Sequence, residues 1–383
     1  MSEGTDNPGF SVRAAAMLRL TIGCLLLIGT LPDIPAWGGI RTELTSHEVI
    51  SGFESAFAKG DFPSMKKLAA EHPGRLRLLV DQFLADFSKA LVESRTKDAI
   101  YNCDLAESIA VLAQELFGDS FSSHQVSRYR TWSRDEHQSK LKADRFYHDA
   151  RVAFEEGRYG DVLPPGRFAL EIYAAIKDDA GEGDTLHYLG QAQRRLVVYS
   201  DALSLHNRAL DLAVQTSDRN RQGRALIDLG DVYERKKDQA AAKKFYQDAL
   251  QILNSPADWQ EAARALRQIG DVYVATGNFE SAYGSYSLAL QHAEKAKDDQ
   301  RIAELNDYLG FCYRSLGDYE RAIEHHLRAL ESAGRISSAD LRFRAAARSL
   351  NHLGICTAKL AEAFATEQNL SEAARKYREA IAY

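Results

Sequence analysis

Cysteine and proline are in short supply in this chain and any net positive charge is lacking, and each of these closes a route. The four cysteines stand at positions 24, 103, 312 and 356. If Cys24 leaves with the segment around it, three widely spaced cysteines remain, which do not describe a disulfide framework. Eight prolines and 25 glycines in 383 residues argue against long Pro/Gly-rich linkers. A formal charge of -6 argues against general nucleic-acid binding, which needs a basic face. Motifs of chemistry are missing too. There is no Gly-x-x-x-x-Gly-Lys-Ser/Thr phosphate cradle, no His-Glu-x-x-His and no Gly-x-Ser-x-Gly elbow. No cofactor motif and no metal-ligand pattern is found. Hydrophobic and charged fractions of 45% and 27% are those of an ordinary soluble protein.

Long apolar runs are also lacking, with one exception. Leu20 to Leu31 (LTIGCLLLIGTL) is apolar, preceded by Arg13 and Arg19 and followed by Pro32, Pro35, Ala36 and Gly38. A basic flank, a short apolar core and small residues beyond it are the parts of a secretory signal peptide. The run is short of the roughly 20 residues that span a bilayer; extended back to Ala14 it is longer, but Arg19 interrupts it. Residues 1–38 are therefore read as a signal peptide or an N-terminal membrane anchor, with a buried helix as the third option. The acidic start is unusual for such a segment, and Met17 is the more typical initiator. Cys24 lacks the upstream leucine of a lipoprotein box. The expected location is exported, either periplasmic or extracellular, or attached to the membrane through residues 14–31.

What is abundant is repetition. Leu189-Gly190, Leu229-Gly230, Ile269-Gly270 and Leu309-Gly310 recur every forty residues, and Leu353-Gly354 follows after forty-four. A period in this range marks an array of stacked units. Three residues beyond the glycine stand Tyr233, Tyr273 and Tyr313, while Gln193 and Thr357 depart. Twelve beyond stand Ala202, Ala242, Ala282 and Ala322. Sixteen beyond stand His206, Tyr246, Tyr286 and His326. Nineteen beyond stand Ala209, Ala249, Ala289 and Ala329. Leu226, Leu229, Gly230 and Tyr233 share one face of a helix, and Ala242, Tyr246 and Ala249 share one face of a second. Lys236-Lys237-Asp238, Thr276-Gly277-Asn278 and Leu316-Gly317-Asp318 occupy the turns between them. Each unit is thus two antiparallel helices. Gly230 against Ala242 is expected to let the two backbones approach. Such pairs bury their apolar faces only by stacking.

The pattern Leu-Gly-x-x-Tyr, then Ala, then Tyr, then Ala resembles the tetratricopeptide repeat. The forty-residue period is similar to the variant in kinesin light chains and in bacterial arrays that precede CHAT protease domains, whose linkers Ser217-Asp218-Arg219 also resembles. The resemblance covers residues 143 to 383 and implies an all-α fold, an α-α superhelix or solenoid, with an N-terminal helical region. Two outer units are degenerate. In the first, Gly157-Arg158-Tyr159 marks the turn and Ala169 the second helix, and Leu163-Pro164-Pro165-Gly166 implies a kink or a late start. In the last, Ala373, Tyr377 and Ala380 match a second helix seven residues late, which implies an insertion or a longer helix around residues 359–367. About six units therefore fill residues 141–383. Residues 40–140 carry helical stripes at Val49-Ile50-Phe53-Phe57, Leu76 to Phe87 and Leu105 to Phe117, out of register with the array. They are read as a helical region stacked on it as a cap. Ser133-x-x-Glu136 reads as a capping box that opens the helix leading into the first repeat.

Candidate chemistry weighs toward packing. His325 and His326 are adjacent, so on a helix they point about 100° apart and do not readily share a metal. His206 and His326 take the aromatic core position. Cys312 and Cys356 take a small apolar position. Asp178-Asp179 and Asp298-Asp299 read as solvated linker carboxylates. No catalytic residue is assigned, and the chain is not read as an enzyme.

The resemblance also implies which side chains meet a ligand. In tetratricopeptide proteins the first helices line the concave surface, at positions six and three before the glycine and one and four after it. Here these are His187, Gln191, Arg194, Arg224, Asp231, Glu234, Arg264, Arg267, Asp271, Glu304, Asp307, Phe311 and Arg314. The set is mixed in sign and lacks the Lys and Asn combination of a carboxylate clamp for an acidic C-terminal tail. A folded partner or an extended peptide of alternating charge fits better. Charge reversal at Arg264 and Arg267 is expected to leave folding intact. The last unit ends without a polar cap, so further repeat units or a partner chain are expected there. The function expected is a protein-protein interaction scaffold that binds a protein or peptide on the concave face. The alternative is the regulatory part of a CHAT-type cysteine protease whose catalytic domain lies outside this chain.

Overall fold

Asp or Asn precedes many of the helices in this chain, and at most of those starts its side chain caps the first turn. The computed structural model describes residues 46–366, and no strand occurs among them. The chain divides into two compact units, residues 1–51 and 52–383. Of the first, only the opening of helix α1 is described. The N-terminal segment comprises α1 (Ser46–Ala58), α2 (Phe62–Glu71), α3 (Leu76–Val92), α4 (Thr96–Phe117) and α5 (Ser120–Thr131). The array follows as hairpins: α6 (Arg134–Glu155) with α7 (Leu163–Ile176), α8 (Asp179–Arg195) with α9 (Tyr199–Gln215), and α10 (Arg219–Arg235) with α11 (Gln239–Ile252). Next come α12 (Trp259–Ala275) with α13 (Phe279–Ala296), α14 (Asp299–Ser315) with α15 (Tyr319–Gly334), and then α16 (Ala339–Thr366). The fold is an all-α solenoid of paired helices.

The side chains of Asp178, Asp218, Asp238, Asn278, Asp298 and Asp318 each accept a hydrogen bond from the backbone N–H three residues on. That bond satisfies a donor the helix start would otherwise leave open. The capping box of Ser133 and Glu136 forms in both directions, and α6 begins there, so the boundary expected at residues 140/141 falls inside a helix. Within the hairpins the turn residues 157, 197, 237, 277 and 317 all have positive φ. Glycine meets that demand at three of them, while Val197 and Lys237 meet it under strain.

The glycines of the repeat are packing sites. A Cβ on Gly230 would lie 2.4 Å from the Tyr246 ring, whose atoms are its three nearest neighbours. Gly190, Gly270 and Gly310 face His206, Tyr286 and His326 in the same way. The bare backbone makes room for the ring sixteen residues on, and the hairpin closes over that contact. Around these rings lie the small alanines and aliphatic side chains, as in the cluster of Ala282, Tyr286, Ala289, Leu305 and Leu309. Gly354 has no such neighbour among the described residues.

Helix α7 starts late, as its prolines imply, behind a 3-10 turn at Tyr159–Val162. Helix α16 runs for 28 residues, against 17 for α8, α10, α12 and α14, in accord with a longer helix near residue 359. The signal or anchor segment, Cys24, and the second-helix match at Ala373, Tyr377 and Ala380 lie outside the described residues. No helix among the described residues is long and apolar enough to cross a membrane.

The N-terminal helices do more than stack on the first hairpin. Arg77 on α3 forms ion pairs with Asp119 and with Asp218 in the linker before α10. Arg128 on α5 donates to Lys177 O at 2.7 Å and pairs with Asp179. Tyr129 donates to Asp178 Oδ2 at 3.0 Å. These contacts follow the edge of the array where successive units join. They also correct the reading of Asp178, which is 1% exposed and held by Tyr129 and Lys140.

Candidate functional site

The rings that face the glycines carry polar ends, and those ends need partners. Tyr246 donates to Asp231 Oδ1 at 3.0 Å and to Glu234 Oε2 at 3.1 Å. Tyr286 donates to Asp271 Oδ1 at 2.6 Å. Imidazole is shorter than phenol, and His326 Nδ1 meets Asp307 Oδ1 at 3.0 Å, three residues before the glycine instead of one after it. The first helices therefore supply carboxylates to the second helices. Buried carboxylates in turn require cations or donors.

For Asp184, Asp228 and Asp231 the arginines come from the next first helix along. Asp228 is 1% exposed. It receives Gln191 Nε2 at 2.8 Å and Arg264 Nη2 at 2.7 Å, and His187 Nδ1 lies 2.5 Å from its other oxygen. Arg264 also reaches Asp231 Oδ2 at 2.9 Å, and Gln268 donates to Asp231 Oδ1. Arg194 donates to Gln191 Oε1 at 3.1 Å. Arg221 and Arg224 both hold Asp184, and Arg267 holds Asp271 at 2.6 Å. The result is a ladder of alternating charge that runs across α8, α10 and α12 and ends against α14, where Arg267 lies over the Tyr308 ring.

Burial and pairing compete along this ladder. Burial works to raise the Asp228 carboxyl, but His187 and Arg264 overcome it and hold it well below the usual range. Asp184 is held down in the same way by Arg221 and Arg224. At Asp271 burial outweighs Arg267 and lifts the carboxyl; burial lifts Glu234 too. His206 has no hydrogen bond on either ring nitrogen, and burial pushes it down to about 4.

The structure brings the expected ligand-facing residues onto these helices but leaves few of them uncommitted. His187, Gln191, Arg194, Asp231 and Arg264 form one network with Asp228. Arg224 belongs with Asp184, Glu234 with Tyr246, Arg267 with Asp271, and Asp307 with His326 and Ser349. Glu304, Phe311 and Arg314 are half-buried near the end of the ladder. Gln300 donates to Glu304 at 3.3 Å, and the Arg314 guanidinium lies 5.1 Å over the Phe311 ring. The expectation that Arg264 and Arg267 tolerate charge reversal is corrected. Arg264 neutralises two buried carboxylates, and a glutamate there would place a third beside them.

Asp228, Asp184 and Gln268 were missed among the ladder residues. Asp184 obeys the position rule and needed only to be counted. Asp228 and Gln268 stand two before the glycine, outside the rule. The available signal was a lone carboxylate inside the apolar stretch Ala225-Leu226-Ile227-Asp228-Leu229.

Nothing among the described cysteines offers a nucleophile. Cys103, Cys312 and Cys356 are buried and free. Burial pushes the Cys312 thiol up to about 12 and raises the other two, so the reactive thiolate is suppressed. The arrangement suits recognition by charge and hydrogen bonding.

Comparison with known proteins bears on the repeat itself. The family model for the tetratricopeptide repeat matches residues 183–255 and 261–335. No curated protein sequence matches the chain. Among solved structures it is similar to BtubC (BKLC) from P. vanneervenii, at 21% identity, covering 65% of this chain and 93% of that one, with a TM-score of 0.44. It is similar to the apo quorum sensor NprR from B. thuringiensis, at 15% identity, covering 88% and 96%, with a TM-score of 0.45. It is also similar to the repeats of a putative kinesin light chain from Podospora anserina, at 14% identity, covering 52% and 97%, with a TM-score of 0.41.

Proposed function

We propose, from the premise that residues 183–255 and 261–335 belong to the tetratricopeptide repeat family, that this chain is a scaffold that binds a partner protein or an extended peptide on its first-helix face. One observation carries the reading. The first helices present a row of charged and hydrogen-bonding groups in alternating sign, from Asp184 and Arg224 to Glu304 and Arg314, beside which only a partner of matched polarity docks well. Fixed charge pairs of this kind contribute specificity and rate of encounter more than raw affinity. The site is largely pre-formed, because Arg224, Arg264 and Arg267 are already oriented by carboxylates. Small adjustments then suffice on binding. The N-terminal apolar segment, residues 14–31, adds export or attachment to a membrane as part of the same proposal, and N-terminal sequencing of the protein recovered from cell fractions tests it.

Glu304 and Arg314 are the positions for testing the interaction, because neither holds a buried counter-ion. Glu304→Lys and Arg314→Glu are expected to leave the melting temperature unchanged and to weaken binding of a captured partner roughly tenfold each, as loss of a rim or half-buried charge contact does. A partner that binds both variants as tightly as the parent protein would remove this face from the interaction.

A further inference from the structure

Asp307 differs from its counterparts in the ladder in what neutralises it. Asp184, Asp228, Asp231 and Asp271 each meet an arginine. Asp307 is 2% exposed, and among the described residues no lysine or arginine stands within ion-pair distance. Its partners are two imidazoles and a hydroxyl. His326 Nδ1 lies 3.0 Å from Oδ1 and His352 Nδ1 lies 3.9 Å from it. Ser349 Oγ lies 3.0 and 3.1 Å from the two carboxylate oxygens. His352 Nδ1 is buried and has no hydrogen-bond partner. A buried carboxylate with no cation and a buried nitrogen with no partner are both unfavourable. They lie side by side.

One species relieves both. The three groups come from three successive helices, α14, α15 and α16, and one ligand atom of each lies within 4.8 Å of the others. A tetrahedral ion with bonds of about 2.0–2.1 Å places its ligand atoms about 3.4 Å apart. The distances of 3.0 and 3.9 Å from Asp307 Oδ1 straddle that spacing, and with separations in the set of up to 4.8 Å the two imidazoles close in on the ion by small ring rotations. Two imidazoles and one carboxylate suit zinc and its neighbours in the first transition row, whereas calcium and magnesium prefer oxygen alone. Ser349 would orient the carboxylate, as hydrogen-bond partners of metal ligands do. Ring access also fits, since the His352 side chain is 22% exposed and opens a way in. The similar cluster of His187, His206 and Asp228 is closed to a cation because the Arg264 guanidinium already occupies it.

We propose that Asp307, His326 and His352 form a binding site for a divalent transition-metal ion of the zinc type, which fastens the α14/α15 hairpin to α16. The adjacency of His325 and His326 does not bear on it. His325 turns to Asn306 at 3.1 Å, and the second imidazole comes from α16. The site is independent of which partner the scaffold takes.

The test uses the full chain without an affinity tag, stripped by chelator and titrated with Zn²⁺ by calorimetry and with Co²⁺ by visible absorption. One ion per chain is expected, with Kd on the order of micromolar or tighter, and a four-coordinate Co²⁺ spectrum that Zn²⁺ displaces. Asp307→Asn and His352→Gln, each checked for native circular dichroism, should weaken binding at least tenfold. His148→Gln, at an exposed position on α6, should bind as the parent does. If either variant fails to fold, the parent's stoichiometry, its Co²⁺ spectrum and the other variant still decide. No ion bound at one per chain, or equal affinity in the parent and both variants, overturns the proposal.

Discussion

A single methyl group placed twice in one hairpin separates packing from propensity. Gly270 and Gly284 both lie within helices, α12 and α13. Replacing a helical glycine by alanine is worth about 1 kcal/mol through the unfolded chain and the helix alone. At Gly284 nothing lies within 4 Å of the new Cβ, so Gly284→Ala should stabilise by about that amount. At Gly270 the new Cβ falls 2.3 Å from Tyr286 Cε1, 2.6 Å from Cδ1 and 2.8 Å from Cζ. Ordinary carbon contacts need about 3.5 Å, so the ring must move by about 1 Å. It is poorly placed to move. It is 1% exposed, its hydroxyl is tied to Asp271 at 2.6 Å, and its face stacks on Tyr308 at 5.2 Å. Overpacking of this kind costs about 1–3 kcal/mol, and slackening the Asp271 bond adds about 1 kcal/mol. Against the propensity gain, Gly270→Ala should destabilise by about 1–3 kcal/mol net. Urea unfolding followed by far-ultraviolet circular dichroism measures both variants. Hydrogen exchange in α12 and α13 localises the loss, since repeat arrays do not always unfold as one unit. Adding Tyr286→Leu to Gly270→Ala should recover part of the stability. If Gly270→Ala stabilises as Gly284→Ala does, the glycine-on-ring contact is not what closes the hairpin.

Three further perturbations probe the ladder and its turns. Arg264→Met strips the cation from Asp228 and Asp231 and should cost about 3–5 kcal/mol in urea unfolding, while Arg314→Met should change stability by under about 0.5 kcal/mol; equal effects would mean that the ladder is not coupled. His206 titrates at about 4 in the folded chain, against about 6.5 unfolded. The unfolded state therefore binds the extra proton between those values, so His206 adds stability that is fully present above pH 6.5 and is lost as pH falls toward 4. The loss is on the order of 2–4 kcal/mol, and His206→Tyr should flatten that part of the pH–stability curve relative to the parent, whereas parallel curves would contradict the assignment. Val197 holds a φ of 66° at an exposed turn, so Val197→Gly should raise the melting temperature through about 1 kcal/mol of released strain; a fall in melting temperature would contradict this.

The array was legible because its signals are local. The forty-residue period, the Gly-Asn and Gly-Asp turns, the Ser133–Glu136 capping box and the prolines that delay α7 all act within a few residues of themselves. The ladder was legible by position and misread by role. Asp231, Arg264 and Asp271 stand where ligand-facing residues stand, yet their partners come from the facing or the next helix, which no local pattern reveals. The glycine contact shows the same limit. Sequence spacing places both Ala242 and Tyr246 opposite Gly230, and only side-chain direction decides for the ring. Least legible was the docking of the N-terminal helices, where Arg77 meets Asp218 across 141 residues. An arginine on α3 and an aspartate that already serves as a helix cap carry no mark of one another.

Site-directed photo-crosslinking locates the partner most directly. A photoreactive residue at Phe311, on the first-helix face, is compared with one at Leu288, which is 50% exposed on the second helix α13. With a captured partner present, crosslinks at position 311 and none at 288 are predicted. Crosslinks at 288 alone would place recognition on the opposite side of the array and contradict the account.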